Sequence, residues 1–273
     1  MSQLIDVHCH LTHRKFEADV DIVAERAAQF GLEYCVVNGL CPDSNRAVLQ
    51  LCHRHDHLLP ALGIYPLIAA ANVITPEMWK DAPEGFAPPD KFDVDAEIDF
   101  IDQAAARGEM VAIGECGLDS YYVDNIVFLQ EQERVLRLLL RVAKKHDLPV
   151  ILHSRKAEAR VFEILQEESI VKADFHCYGG KIKLGVKIAE AGYFLSIPSA
   201  VERADHFRQL AGRLPIESIL TETDSPYMGP DKGVRNEPST VTRGVEAIAD
   251  ARGIPAEEAA QAIRNNFLRL FGI

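Results

Sequence analysis

Leu148-Pro149-Val150-Ile151-Leu152-His153 decides the fold class, because of what stands before it. Upstream, Val135, Leu136, Leu139, Val142 and Ala143 recur at helical spacing and fall on one face. Lys144, Lys145 and His146 suit the C-terminal end of such a helix, where the dipole is negative. Pro149 cannot continue the helix and launches a short apolar run that reads as a buried strand. A helix feeding straight into a buried strand is the repeating half of a parallel α/β sheet.

The same alternation extends in both directions. Strands are expected near 4–11, 34–40, 58–65, 110–117, 149–154, 172–177, 193–197 and 218–223. Helices are expected near 19–30, 43–56, 95–107, 125–147, 155–168, 181–191 and 202–212, with closing helices near 239–252 and 256–270. Strict alternation implies a parallel sheet with right-handed crossovers. Eight strands in 273 residues favour closure into a (β/α)8 TIM barrel, a single domain over residues 1–273. The alternative is an open doubly wound sheet, but no glycine-rich nucleotide fingerprint follows the first strand. The connection from Leu67 to about Asp95 carries Pro76, Pro83, Pro88, Pro89, Gly85 and Trp79. It is long for a compact domain, and following the third strand it should rise as a wall or lid over the mouth.

Composition sets limits on function. With 48% hydrophobic and 26% charged residues, the chain reads as globular, and no run approaches a membrane span. The first strand begins at about Leu4, leaving no room for a signal peptide, so a cytoplasmic location is expected. The six cysteines form no C-x-x-C pair and read as free thiols. Cys9, Cys116 and Cys177 each follow a ligand-type residue, and strand alternation should turn them away from the site. A net charge of −12 argues against a protein that coats nucleic acid, but not against an enzyme with a locally positive pocket.

The chemistry is written at the strand ends. In Asp6-Val7-His8-Cys9-His10, period-two alternation puts the polar residues on one face. The fourth strand ends in Glu115, the fifth in His153, the sixth in His176 and the eighth in Asp224. In a barrel these six, His8, His10, Glu115, His153, His176 and Asp224, converge on the C-terminal mouth. One catalytic ion needs only three protein ligands, whereas six with a bridging carboxylate suit two divalent ions. Asp6, Asp174 and Glu222 share the inward face and are candidates to orient imidazoles or tune the ions from behind. His53, His55 and His57 read as solvated.

These motifs resemble the TatD family of metal-dependent hydrolases, within the amidohydrolase-type barrels. The resemblance is carried by Asp6-Val7-His8-Cys9-His10-Leu11, Ala112-Ile113-Gly114-Glu115-Cys116-Gly117-Leu118-Asp119, Pro149-Val150-Ile151-Leu152-His153-Ser154-Arg155, Phe175-His176-Cys177-Tyr178-Gly179-Gly180, Thr221-Glu222-Thr223-Asp224-Ser225-Pro226 and Arg235-Asn236-Glu237-Pro238. It implies a phosphodiesterase, commonly a deoxyribonuclease with exonuclease activity on DNA, using magnesium, manganese or zinc. It also implies that His8, His10, Glu115 and Asp224 hold one ion, and Glu115, His153 and His176 the other. Glu115 and Asp224 are then the catalytic carboxylates, with Asp224 a plausible base toward water. Arg155 and Arg235 are candidates to grip phosphate, and Lys181 and Lys183 to add positive charge. Where the family usually has a histidine in a G-x-H-P turn, this chain has Gly63-Ile64-Tyr65-Pro66, which makes Tyr65 a substrate-side candidate. DNA is the implied substrate, with no membrane and no stable protein partner. The alternative is a barrel amidohydrolase acting on a small-molecule amide, ester or lactone.

Overall fold

A computed structural model describes residues 3–80, 87–123 and 125–273. Eight parallel strands pair in sequence order: β1 (Leu4–Cys9), β2 (Leu32–Asn38), β3 (Leu58–Leu62), β4 (Ala112–Gly117), β5 (Val150–His153), β6 (Ala173–Phe175), β7 (Phe194–Pro198) and β8 (Ile219–Glu222). The eighth strand meets the first. Thr221 Oγ1 donates to Ile5 O at 2.7 Å, and the backbone N–H of Asp224 donates to His8 O at 2.8 Å. The architecture is a (β/α)8 TIM barrel.

The helices are α1 (Val20–Gln29), α2 (Pro42–Cys52), the one-turn α3 (Pro66–Ala69) and α4 (Pro76–Trp79), α5 (Val94–Ala106), α6 (Ile126–His146), α7 (Glu158–Glu167), α8 (Ile182–Glu190), α9 (Asp205–Arg213), α10 (Val241–Arg252) and α11 (Ala256–Phe271). Among the described residues, no helix is long and apolar enough to cross a membrane.

The α6–β5 unit follows its sequence closely. Asn125 caps α6 by accepting from the N–H groups of Val127 and Phe128, which would otherwise lack partners. Val135, Leu136, Leu139, Val142 and Ala143 are buried against the barrel. Asp147 then turns the chain with φ 55, and Pro149 leads into β5. Gln132, one turn before Val135 on the same stripe, is a polar residue in that buried face.

Strands end earlier than alternation alone suggests, because the residues carrying the site leave the ladder. β1 stops before His10, β6 before His176, and β8 before Asp224, whose φ is 50. Two glycines permit close approach at these ends. A Cβ on Gly63 would lie 2.5 Å from Glu115 O. One on Gly117, where φ is 146, would lie 1.9 Å from His153 O.

The long connection after β3 is folded where it is described. Leu67, Ala70 and Trp79 bury a second apolar cluster with Val123 and Phe128, so α3 and α4 form a wall against the start of α6. Its segment 81–86 lies outside the described residues.

Candidate metal centre

The strand ends bring all six ligand-type side chains together. His8 Nε2 lies 3.1 Å from His10 Nε2, 3.5 Å from Glu115 Oε2 and 3.8 Å from Asp224 Oδ1. His10 Nε2 lies 3.4 Å from Glu115 Oε2 and 3.6 Å from Asp224 Oδ1. The other Glu115 oxygen, Oε1, lies 2.8 Å from His153 Nδ1 and 2.9 Å from His176 Nε2. Those two nitrogens are themselves 3.4 Å apart.

The group of His8, His10, Glu115 and Asp224, with spacings of 3.1 to 3.8 Å, fits a metal. Ligands held about 2.0–2.2 Å from one ion in a tetrahedron stand roughly 3.3–3.6 Å from one another. Shared protons account poorly for two imidazole nitrogens that face each other and the same two carboxylate oxygens. His10 is oriented from behind, its Nδ1 lying 3.2 Å from Asn38 O, which leaves Nε2 a lone pair.

The electrostatics agree. Burial would raise the Glu115 carboxyl, but the charge of His176 and contacts from His153, His176 and His8 hold it well below the usual range. Asp224 is likewise held low against burial by His10, His8 and His176. The His8 and His176 rings stack with centroids 3.8 Å apart, so they cannot comfortably share two positive charges. Burial and the charge of His176 push His8 down, while His176 is raised against burial by Glu115 and Glu222. Neutral imidazoles around a cation resolve that conflict.

Asp119 is the principal residue that the sequence reading passed over. It is fully buried, and its Oδ2 lies 3.0 Å from His153 Nε2, on the far side of that ring from Glu115. The same oxygen accepts from Tyr65 Oη at 3.4 Å, and Oδ1 accepts from the N–H of Tyr121 at 2.8 Å. Gln132 fixes the Asp119 backbone from both sides, accepting from its N–H at 2.8 Å and donating to its C=O at 3.1 Å. Two signals were available: an aspartate four residues beyond Glu115, and a lone glutamine in an apolar helical stripe.

Several expectations change. Arg235, a candidate phosphate grip, donates from both terminal nitrogens to the Asp19 carboxylate at 2.8 and 2.7 Å and lies over the Phe16 ring. That pair ties the loop after β8 to the residue just before α1. Tyr65 turns its hydroxyl toward Asp119 and sets its ring edge-on to His153 at 5.0 Å, so its one proton is directed at Asp119. Asp6 holds backbone rather than an imidazole. It accepts from the His8 N–H at 3.1 Å, the Thr223 N–H at 2.9 Å and Thr223 Oγ1 at 2.6 Å, tying β1 to the end of β8. Asp174 and Glu222 lie 2.8 and 2.6 Å from Ser196 Oγ, whose one proton serves one of them at a time, and Glu222 lies 3.7 Å from His176 Nδ1.

Cys9 and Cys116 are buried, Cys9 against Cys35 with the sulfurs 3.3 Å apart. Cys177 instead lines the cleft, because it lies beyond β6 with φ 45, where alternation no longer applies. His55 is not solvated; it contacts the Asp21 carboxylate at 2.7 Å, and its ring lies 5.9 Å from that of His57. α2 ends at Cys52, so helical spacing does not govern these rings.

Above the ligands opens a cleft of about 650 Å³ lined by His153, His176, Asp224, Arg155, Tyr121 and Lys181, among others. Arg155 is exposed there, while Lys183 projects from α8 outside the lining.

A family model described as TatD related DNase matches residues 5–272. This chain belongs to the TatD family. Human deoxyribonuclease TATDN3 is 33% identical over 276 residues, covering 98% of this chain and 94% of that protein. The Escherichia coli K12 protein YcfH, named an uncharacterized metal-dependent hydrolase, is 29% identical over 279 residues, 99% of this chain and 96% of its own length. The crystal structure of YJJV, a TatD homolog from E. coli K12, superposes with a TM-score of 0.82 at 28% identity, covering 99% of this chain and 98% of that one. The TatD chain described here is therefore a hydrolytic enzyme, with groups of buried side chains able to hold metal.

Proposed function

We propose that this chain is a two-metal phosphodiesterase that cleaves DNA, with His8, His10, Glu115 and Asp224 on one ion and Glu115, His153 and His176 on the other. The observation that carries the reading is Glu115, whose two oxygens face two different sets of imidazoles. Bound magnesium, manganese or zinc would supply Lewis acidity, lowering the pKa of water and neutralising charge on the leaving oxygen. Asp224 and His153 are the ligand-type side chains most open to the cleft, at 15% and 13% exposure, against 0% for His8 and 3% for Glu115. Held ionised, Asp224 orients the attacking water and accepts its proton. Arg155 and Lys181 face the cleft and take up phosphate oxygens. A relative named a deoxyribonuclease supports DNA as substrate. Six free cysteines suit the reducing cytoplasm.

The test is cleavage of single-stranded DNA, RNA and an aryl phosphodiester by purified protein with each metal. Chelator and Glu115→Ala should abolish turnover, and Asp224→Asn should lower kcat by at least about 10²-fold. Robust hydrolysis of a lactone or amide with none of DNA would overturn the reading.

A further inference from the structure

Among the described residues, nine large apolar side chains are strongly exposed, and five of them cluster on two segments. Tyr121, Ile126 and Val127 lie between β4 and the first turn of α6; Tyr227 and Val234 lie between β8 and α10. β4 and β8 are four strands apart in a ring of eight, so these segments rise on opposite sides of the mouth. Each carries one half-exposed tyrosine, Tyr121 at 51% and Tyr227 at 48%.

Each ring also carries a cation. The Arg155 guanidinium lies 3.6 Å from the Tyr121 ring centroid, and Lys15 Nζ lies 5.1 Å from that of Tyr227. On a chain of net charge −12, Arg137, Arg160, Arg235 and Arg243 are bound to carboxylates. Arg155 and Lys15 make no ion pair among the described residues; Arg155 donates to the Tyr122 hydroxyl at 3.2 Å and lies 5.1 Å from that ring's centroid. Both platforms are pinned to the site. The Tyr121 N–H donates to Asp119, which holds His153; the Tyr227 N–H donates to Asp224 O at 2.8 Å, and its hydroxyl lies 3.1 Å from His13 Nε2.

We propose that Tyr121 with Arg155, and Tyr227 with Lys15, are two nucleobase platforms that grip the substrate strand on both sides of the phosphodiester being cleaved. This rests on the phosphodiesterase reading and adds strand-positioning residues to it. An aromatic face and a guanidinium plane accept any base by stacking, and their cations, which pair with no carboxylate among the described residues, attract the flanking phosphates. The acidic remainder of the surface repels the strand, so the platforms and not the general charge localise it.

The experiment uses Tyr121→Ala, Tyr227→Ala and the two Phe variants on oligonucleotides with one labelled scissile position and an abasic site placed on either side. A 2-aminopurine oligonucleotide, titrated in chelator to prevent turnover, reports stacking by quenching. Each Ala variant should raise KM and the chelator Kd by about 5- to 150-fold with kcat within a few fold of wild type. The Phe variants, which keep the face, should bind within about twofold of wild type. An abasic site facing a deleted platform should cost nothing further. Ala variants that bind and quench like wild type, or Phe variants as impaired as Ala, would overturn the proposal. If wild-type protein with metal leaves every oligonucleotide intact, the phosphodiesterase reading fails instead. Quenching in chelator then still decides whether the platforms hold bases.

Discussion

Replacing Asp119 by asparagine should weaken the metal centre without touching a ligand. Asp119 offers acceptors in two directions: Oδ2 toward His153 Nε2 and Tyr65 Oη, and Oδ1 toward the Tyr121 N–H. An asparagine has one acceptor oxygen. If its NH2 faces Tyr121, two donors meet in a fully buried place. If it faces His153, that imidazole must move its proton to Nδ1, removing the lone pair aimed at the Glu115 side. Either placement costs about 1–3 kcal/mol. Removing a carboxylate that orients a ligating histidine typically costs 10- to 100-fold in metal affinity, or roughly 1.4–2.7 kcal/mol. Tyr65→Phe removes one long hydrogen bond of 3.4 Å and should cost less than about tenfold. The assay is isothermal titration of chelator-treated protein with zinc or manganese, beside thermal melts that establish folding. The expected order is wild type, Tyr65→Phe, then Asp119→Asn, with the loss confined to the ion proposed for His153 and His176. A folded Asp119→Asn protein that binds metal with wild-type affinity and stoichiometry would refute the reasoning.

Arg235→Ala should lower stability only slightly, since its pair with Asp19 is solvent-screened, and should leave KM for an oligonucleotide within about twofold. A tenfold rise in KM would return Arg235 to phosphate binding. In metal-stripped protein, Asp6 should make stability fall as pH rises. Burial pushes its carboxyl up to about 8 from 3.8, against the pull of its hydrogen bonds from Thr223 and His8. The folded chain then keeps a proton that the unfolded chain releases. The contribution is whole below the unfolded value and is lost as pH climbs through the folded one. Melting curves of wild type and Asp6→Asn between pH 4 and about 8 check this; a difference that does not vary with pH would sink it.

Much of the protein is legible without coordinates, because its information is local. Period 3.6 along α6, the stop at Pro149 and the apolar run of β5 are set by neighbours in the chain, as is the alternation that puts Asp6 and His8 on one face. A parallel barrel then carries every strand end to one mouth, so the identity of the six ligand-type residues follows from order alone. What sequence could not settle were contacts between distant segments. Arg235 and Asp19 are 216 positions apart, and only their meeting decides that the guanidinium ties the loop after β8 to the residue just before α1. The turn of Tyr65 toward Asp119, the grip of Gln132 on that residue and the entry of Cys177 into the cleft depend likewise on loops leaving the ladder, where neither periodicity governs direction. The strand ends nominate the ligands; the packing of those loops decides which groups hold them and which remain free to meet a substrate.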